Sequence, residues 1–251
     1  MVTRPRAQAA DFIVRLETHG ATVVPFPTIR MDLPDDFAPL DAAVRAAGTY
    51  GWVIFTSANG VEAVRTRFAA LGLGPAVFGG AKVCAVGPAT ARALAQLGVH
   101  PTLQPDEDYR AEGLLEALKR SGGDLRGARV LFFRAAEGRE VLPGGLRAEG
   151  AIVDTVVAYV TVQLAEAPPG AVDRLAAHPP DAIAFTSPST ARACVVLLGA
   201  RARAVLSNAA IASIGPVTTA AIEELGYRVA ITAPQSTVPA LADAIAQYFA
   251  K

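Results

Sequence analysis

The stretch Trp52–Val64, WVIFTSANGVEAV, decides the fold of this chain because it recurs as AIAFTSPSTARAC at Ala182–Cys194. Each stretch contains a short apolar run, then hydroxyl-bearing residues, then a helical pattern. An apolar run without alternation of polar residues is typical of a parallel strand that is buried on both faces. The two stretches therefore predict the same strand, turn and helix twice in one chain.

Two further pairs of segments repeat with nearly the same offset, about 130 residues. KVCAVGPATARALAQLG at Lys82–Gly98 corresponds to AIASIGPVTTAAIEELG at Ala210–Gly226, and the segment from Val2 corresponds to the segment from Val130. The chain is therefore two copies of one β-α-β-α-β-α unit. Alternating strands and helices with short connections predict an α/β fold with an open, doubly wound parallel sheet in each unit.

Four strand-to-helix turns are rich in hydroxyl groups, and they fall where ligands bind in open α/β sheets, beyond the carboxyl ends of the strands. They are Thr56–Asn59, Gly87–Thr90, Thr186–Ser189 and Gly215–Thr219. Hydroxyl residues at helix starts are ordinarily N-caps, worth about 1 kcal/mol each. Free backbone N–H groups at the same places also bind anions. At this stage capping alone and capping combined with anion binding both explain the turns.

Charge and hydropathy exclude several classes of protein. Lys plus Arg and Asp plus Glu each number 23, so the formal net charge of zero argues against partners bound through a general basic field, namely nucleic acids and anionic membranes. A hydrophobic share of 52% with 18% charged residues excludes disorder. No apolar stretch approaches the roughly 18 residues of a membrane span, and MVTRPRAQAADF lacks the apolar core of a signal peptide. We therefore expect a cytoplasmic protein.

The sequence carries no fingerprint of a nucleotide cofactor, a serine nucleophile or a metal. GxGxxG does not follow any strand, and GxxxxGK[ST] and GxSxG are absent. Cys84 and Cys194 belong to no CxxC, and His19, His100 and His178 lie far apart. We therefore expect neither a metal nor a cofactor.

Taken in order, the motifs resemble the uroporphyrinogen-III synthase family over essentially the whole chain. The order is more specific than any single motif. The matching segments are VTRP at Val2–Pro5, FTSANGVEA at Phe55–Ala63, AVGPATARAL at Ala85–Leu94, GARVLFFRAAEGREVLPGGLRAEGA at Gly127–Ala151, VVAY at Val156–Tyr159, FTSPST at Phe185–Thr190, IGPVTTAAIEELG at Ile214–Gly226 and TAPQSTVPALADAI from Thr232.

Two positions depart from the family pattern. Met1 falls within the first strand, where relatives have further apolar residues before VTRP. Val217 stands where relatives more often have threonine, which moves any side-chain role onto Thr218.

The resemblance implies two similar flavodoxin-like domains that are joined by two antiparallel linker strands. Residues 1–28 with 165–251 would form the first, discontinuous domain, and residues 35–156 the second. Residues 29–34 and 157–164 would be the linker strands. The repeat by itself is equally compatible with two contiguous halves.

The resemblance also implies the activity. The substrate would be hydroxymethylbilane, a linear tetrapyrrole handed over by hydroxymethylbilane synthase. The product would be uroporphyrinogen III, formed with loss of water and inversion of ring D, without a cofactor. We expect a monomer that binds this small molecule and neither nucleic acid nor membrane.

Particular residues inherit roles from the resemblance. Tyr159 matches the tyrosine of the VxxY position and would be the general acid. Arg4, Arg134 and Arg139 follow the first strands of the two copies, although each alone is also explained as a solvated loop arginine. The full set of expected substrate-binding residues is Arg4, Thr56, Ser57, Asn59, Gly87, Thr90, Arg134, Arg139, Thr186, Ser187, Ser189, Gly215, Thr218 and Thr219.

Other classes of two-lobed protein remain as alternatives. A binding or regulatory protein could keep this fold without catalysis, but a changed Tyr159 or degraded hydroxyl turns would then be expected. A periplasmic-type solute receptor would carry an export signal, and a nucleotide-sugar transferase usually has a longer chain.

Overall fold

The structure is a computed structural model, and it describes residues 1–106, 108–121 and 125–250. The chain separates into two compact units. Unit 1 comprises Met1–Arg30 together with the chain from Val162 onwards, and unit 2 comprises Met31–Thr161. Unit 1 is therefore discontinuous in sequence.

Strands and helices alternate along most of the chain. The strands are β1 (Ile29–Asp32), β2 (Trp52–Phe55), β3 (Lys82–Ala85), β4 (Arg129–Ala135), β5 (Ile152–Gln163), β6 (Ala182–Phe185), β7 (Ala210–Ser213) and β8 (Ile231–Thr232). The α-helices are α1 (Ala10–Thr18), α2 (Ala38–Ala46), α3 (Ala58–Leu71), α4 (Pro88–Gln96), α5 (Ala111–Arg120), α6 (Val141–Ala148), α7 (Ala171–Ala177), α8 (Pro188–Leu198), α9 (Ala202–Leu206), α10 (Pro216–Glu224) and α11 (Val238–Phe249). The predicted α/β class is confirmed.

The larger sheet has the strand order β1-β5-β4-β2-β3. β2 pairs in parallel with β3 and β4, and β4 pairs in parallel with β5. Leu103 makes one more parallel bridge, to Cys84 of β3. All four residues of β2 are buried, as its unbroken apolar run predicts.

Unit 1 has the parallel sheet β6-β7-β8. Val2 extends this sheet, because it makes parallel bridges to Ala184 of β6 on one side and to Pro25 on the other. Backbone hydrogen bonds support both pairings: the Ala184 N–H donates to the Met1 carbonyl at 3.0 Å, and the Phe26 N–H donates to the Val2 carbonyl at 2.8 Å.

Each sheet takes strands from both copies of the sequence repeat. In unit 1, the strand segments at Val2 and Pro25 belong to the first copy, and β6, β7 and β8 belong to the second. In unit 2, β2 and β3 belong to the first copy, whereas β4 and β5 belong to the second. The two units are therefore not the contiguous halves of the sequence.

Apolar side chains cover both faces of the unit 2 sheet. Because side chains alternate along a strand, Phe55 and Ile54 of β2 enter separate clusters on opposite faces. The rings of Phe55 and Phe133 stack with centroids 5.1 Å apart. Full burial of each such side chain stabilises the fold by about 1.5–3 kcal/mol. Unit 1 is built in the same way, with Ile183 and Ala184 of β6 in different clusters.

Proline and glycine mark the ends of the repeated helices. α4 begins at Pro88 and α10 at Pro216, as expected for a residue that lacks the N–H group and has a helix-compatible φ. Gly98 and Gly226 follow the same helices with φ of +83° and +84°, a left-handed conformation that favours glycine. Each of these helices therefore begins at the carboxyl edge of its sheet, directly after a parallel strand. Two of the four hydroxyl turns lie at the carboxyl edge of each sheet.

Residues 31–161 expressed alone should fold, because they contain both apolar clusters of unit 2 and its strands β2, β3 and β4. We expect one cooperative transition when urea unfolding is followed by circular dichroism. Residues 1–128 are the matched control, since they are almost equal in length and form one sequence copy but lack the β4 and β5 partners. Cooperative unfolding of residues 1–128 but not of residues 31–161 would contradict the assignment of units.

Candidate functional site

The carboxyl edge of each sheet gathers the residues that the sequence singles out. The structure brings one group together in unit 2 and another in unit 1, and each is considered within its own unit. The unit 2 group is Thr56, Ser57, Asn59, Gly87, Thr90, Arg134, Arg139 and Tyr159; the unit 1 group is Arg4, Thr186, Ser187, Ser189, Gly215, Thr218 and Thr219.

Ser57 and Ser187 are N-caps at equivalent places. The Ser57 Oγ accepts a hydrogen bond from the Gly60 N–H at 3.2 Å, at the start of α3. The Ser187 Oγ accepts from the Thr190 N–H at 3.2 Å, and the Thr190 hydroxyl accepts from the Ser187 N–H at 3.3 Å, which completes a capping box at α8. Capping is therefore present in these two turns.

The other two helix starts are different. α4 and α10 follow Gly87 and Gly215 and have no side-chain cap, so their first N–H groups are left without a capping acceptor. Thr90 and Thr218, at the third position of each helix, are only 4% and 3% exposed. Within the described part of the chain, neither threonine hydroxyl forms a hydrogen bond. Neither Oγ1 atom is among the buried atoms that lack a partner, so both hydroxyls reach solvent beside the open helix starts, where an acceptor ligand can bind.

Gly87 and Gly215 also have a packing reason to be glycine. A Cβ at Gly215 would lie 2.4 Å from the Ser236 Oγ, and a Cβ at Gly87 would lie 3.3 Å from the Tyr109 Cβ. Both glycines therefore let a neighbouring loop approach the helix start. Their role as substrate contacts stays a prediction.

A cluster of three hydroxyls lies at the carboxyl edge of unit 1. Ser213 Oγ lies 2.5 Å from Thr219 Oγ1, which lies 3.0 Å from Thr232 Oγ1. Sequence analysis selected Thr219 but missed Ser213 and Thr232. The available signal was a hydroxyl residue at the last position of both β7 and β8. Alanine replaces two of the three in unit 2, since Ala85 and Ala91 occupy the places of Ser213 and Thr219 in the repeat.

Tyr159 lies on β5 and is half-buried. The Ser57 hydroxyl donates a hydrogen bond to the Tyr159 hydroxyl at 3.0 Å. Sequence analysis selected the two residues separately, and the structure brings them into contact. The polar end of Tyr159 therefore reaches the start of α3, while the rest of the residue packs against the Phe55 side of the unit 2 core.

Arg4 follows the first strand of unit 1 and keeps an unused donor. Its Nη2 donates to the Gln8 Oε1 at 3.3 Å, whereas its Nε is buried without a partner among the described residues. Burial lowers the pKa of Arg4 from its ordinary value, and the nearby Asp11 acts in the opposite direction. A guanidinium stays protonated under such conditions, so Arg4 can still donate to an anion.

Arg134 and Arg139 are both held by partners in unit 2. The Arg134 side chain is 12% exposed and binds Glu140 and the Gly138 carbonyl. It is therefore not a solvated loop arginine. The Arg139 Nη1 lies 3.1 Å from the Glu112 Oε1. Their roles as substrate contacts stay predictions, and each would have to exchange a protein partner for a ligand.

Glu112 is a polar residue of this edge that sequence analysis missed. The pKa of its carboxyl is lowered, first by a hydrogen bond from its own backbone N–H and then by Arg139. Its Oε2 is buried and has no partner among the described residues. The only sequence signal was an acidic residue in the first turn of α5.

Other reactive chemistry is not assembled in the described ranges. No group of three or more His, Cys, Asp or Glu residues could hold a metal ion there. Burial raises the pKa of Cys84 and of Cys194 to about 12, so both remain thiols. No helix among the described residues is long and apolar enough to cross a membrane.

A cavity of about 720 Å³ in unit 1 lies at the other edge of the sheet. Its walls include Ala182, the first residue of β6, and Gly20, which follows α1. The cavity is therefore at the amino ends of the strands, away from the hydroxyl turns.

Comparisons with a family model, with known sequences and with solved structures give matches whose descriptions agree. The family model described as uroporphyrinogen-III synthase HemD matches residues 10–243. The uroporphyrinogen-III synthase of Synechococcus elongatus is 36% identical, over 99% of this chain and 94% of the relative. That of Chlorobaculum parvum is 28% identical, over 98% and 97%. A crystal structure of a mutant uroporphyrinogen III synthase from Thermus thermophilus has the same fold, with a TM-score of 0.63 and 20% identity over 99% of this chain and 97% of that chain.

Replacement of Thr218 by valine should leave the free energy of unfolding unchanged within about 0.5 kcal/mol, or raise it, because no hydrogen bond to the protein is lost. Ser187→Ala, which removes a cap, should lower it by about 1 kcal/mol. Urea unfolding of both variants measures the difference. A loss of more than about 1 kcal/mol in Thr218→Val would mean that the hydroxyl stabilises the fold through a partner.

Proposed function

The chain belongs to the uroporphyrinogen-III synthase family, and on that premise we propose that it cyclises hydroxymethylbilane to uroporphyrinogen III. The observation that carries the proposal is repeated in both units. A helix begins at the carboxyl edge of the sheet without a side-chain cap, and a mostly buried threonine beside it has a hydroxyl with no hydrogen-bond partner among the described residues. Such places suit carboxylate groups.

The reaction transfers protons and breaks and forms carbon–carbon bonds, without net oxidation or reduction. The hydroxyl on the ring A side leaves as water with the electron pair of the C–O bond, which gives an azafulvene cation. The substituted carbon of ring D attacks that cation to form a spiro-pyrrolenine. Fragmentation and renewed closure invert ring D, and a proton leaves the pyrrole carbon as aromaticity returns.

The substrate is strongly anionic because each pyrrole carries an acetate and a propionate. The protein has a formal net charge of zero, so binding must come from local donors and not from a general field. A helix N-terminus stabilises an anion by about 0.3–1 kcal/mol when exposed and up to about 2 kcal/mol when sheltered. The starts of α3 and α4 in unit 2, the starts of α8 and α10 in unit 1, and the Nε of Arg4 would supply such donors.

Control of shape is the main catalytic task. The substrate free in solution closes without inversion, so the enzyme must favour attack by the more crowded carbon. Holding several carboxylates at fixed points restricts the chain to one conformation, and positioning of this kind can supply a large part of a rate enhancement. The spontaneous closure also suggests direct transfer, and we propose that hydroxymethylbilane synthase hands the substrate over in the cytoplasm to a monomeric enzyme.

Tyr159 is proposed as the general acid that protonates the leaving hydroxyl. Its phenol group can donate a proton directly or through water. The half-buried position at the carboxyl edge of unit 2 and the hydrogen bond from Ser57 support this role.

The finer architecture is also a proposal: flavodoxin-like domains at residues 1–28 with 165–251 and at residues 35–156, joined by antiparallel linker strands at 29–34 and 157–164. The strand order Pro25, Val2, β6, β7, β8 in unit 1 supports the flavodoxin-like description, and the repeat puts β5, β4, β2, β3 and Leu103 of unit 2 in the corresponding positions. β1 lies beside β5, the Leu164 N–H donates to the Thr28 carbonyl at 3.0 Å, and the Thr161 Oγ1 lies 3.6 Å from the Met31 sulfur. Residue numbers run in opposite directions along the two segments, as in an antiparallel pair.

The isomer of the product tests the proposed function. The purified protein is incubated with enzymatically made hydroxymethylbilane, and the type I and type III isomers are resolved after oxidation. We expect type III to dominate. An isomer composition equal to that of the spontaneous reaction would contradict the proposal, and binding without a change in composition would favour a non-catalytic protein of the same fold.

Tyr159→Phe should lower the turnover number more than tenfold, because the leaving hydroxyl loses its proton donor while the ring packing is kept. Initial rates of type III formation give the measurement. Tyr50→Phe is the matched control in the same unit, since it removes a tyrosine hydroxyl that bonds to Asp154 at 2.8 Å on an exposed surface. Unchanged turnover in a folded Tyr159→Phe protein would remove the acid role.

A further inference from the structure

We propose that Ser57 is a positioning residue that fixes the direction of the Tyr159 proton. This inference rests on the proposed function and adds to it a residue that acts through the general acid. Its basis is a pair of hydrogen bonds at the Ser57 hydroxyl group. The hydroxyl accepts one from the Gly60 N–H and donates the other to the Tyr159 hydroxyl.

A serine hydroxyl has one proton and two lone pairs, and in this structure the proton is donated to Tyr159. The Gly60 N–H can only donate, so the Ser57 Oγ accepts from it with a lone pair at 3.2 Å. The Ser57 proton is then directed to the Tyr159 oxygen at 3.0 Å. Tyr159 is therefore the acceptor in this pair, and its own proton points away from Ser57.

The side chains of Ser57 and Tyr159 are each restrained by the surrounding protein. Ser57 is the N-cap of α3 with an extended backbone, φ −151° and ψ 152°, so the cap fixes its side chain. Tyr159 packs against the apolar cluster of Phe55 and Phe133, which restricts the ring. Reversal of the hydrogen bond would leave the Ser57 proton without its protein acceptor in this partly buried place.

The arrangement serves the acid in two ways. Before transfer, the Tyr159 proton is free for the hydroxyl of the substrate. After transfer, that hydroxyl departs as water and the phenolate oxygen keeps the Ser57 hydrogen bond, which becomes stronger because the acceptor is charged. The phenolate recovers a proton when the pyrrole carbon loses one at ring closure, so protons balance over the cycle.

The two copies of the repeat differ in a way that distinguishes this role of Ser57 from its capping of α3. Ser187 caps α8 as Ser57 caps α3, but its hydroxyl lies 2.9 Å from the Ser189 hydroxyl. In the first copy, the residue that corresponds to Tyr159 is Ile29, which has no hydroxyl group. The cap is therefore common to both units, whereas the contact with a tyrosine belongs to unit 2.

A double-mutant cycle with hydroxymethylbilane tests the inference. Ser57→Gly removes the hydroxyl, and glycine at an N-cap costs only a few tenths of a kcal/mol relative to serine. We expect kcat for type III formation to fall about threefold to tenfold with little change in KM, the effect of one hydrogen bond. In the Tyr159→Phe background, Ser57→Gly should lower kcat no further.

Equal losses of kcat from Ser57→Gly in both backgrounds would overturn the inference, because Ser57 would then act independently of Tyr159. The proposed function would stand in that case, since it fails only if the wild-type protein forms no excess of type III. Unchanged kcat in Ser57→Gly would also overturn the inference.

Two further variants separate chemistry from folding. Ser57→Thr keeps both the cap and the proton and should retain kcat within about twofold; if Ser57→Gly does not fold, a tenfold loss in a folded Ser57→Thr protein overturns the inference. Thr237→Gly changes the N-cap of α11, where the threonine hydroxyl accepts from the Ala240 N–H at 3.3 Å. It should shift the thermal unfolding midpoint as Ser57→Gly does and leave kcat unchanged.

Discussion

The parallel pairing of the strands is the constraint on which the site depends. β2 is hydrogen-bonded between β3 and β4 in the same direction, and β7 lies in the same way between β6 and β8. Parallel strands end at one edge of their sheet, so the helices that follow them also begin there. Helix starts are the places where backbone N–H groups lack partners. The fold thus concentrates donors for anions in a protein with no net charge.

Exchange of strands between the repeat copies gives two units of the same plan but different chemistry. Both have one serine-capped helix start and one uncapped start with a buried threonine. Unit 2 adds the Ser57–Tyr159 pair, whereas unit 1 adds the cluster of Ser213, Thr219 and Thr232. Duplication therefore supplies the arrangement proposed to bind carboxylates twice, and divergence confines the proposed proton donor to one unit.

Sequence alone predicts the α/β class, the repeated turns and the helix starts at Pro88 and Pro216, because these follow from local periodicity and backbone chemistry. It cannot decide which copy supplies each strand, since β6 meets Val2 through a pairing between residues far apart in the chain. The same reason hides the contact between Ser57 and Tyr159. The buried Oε2 of Glu112 and the engaged Arg134 depend on packing, which has no periodic signal in the sequence.

The central claim is that the four helix starts at the carboxyl edges, those of α3, α4, α8 and α10, bind the carboxylates of a tetrapyrrole. Amide correlation spectra of the protein, titrated with the octacarboxylate uroporphyrin III, test it most directly. The account predicts that amide resonances in the first turns of α3, α4, α8 and α10 shift with saturation, while those of Gly98 and Gly226 at the opposite edge do not. Shifts confined to that opposite edge, or absent from the four turns, would contradict it.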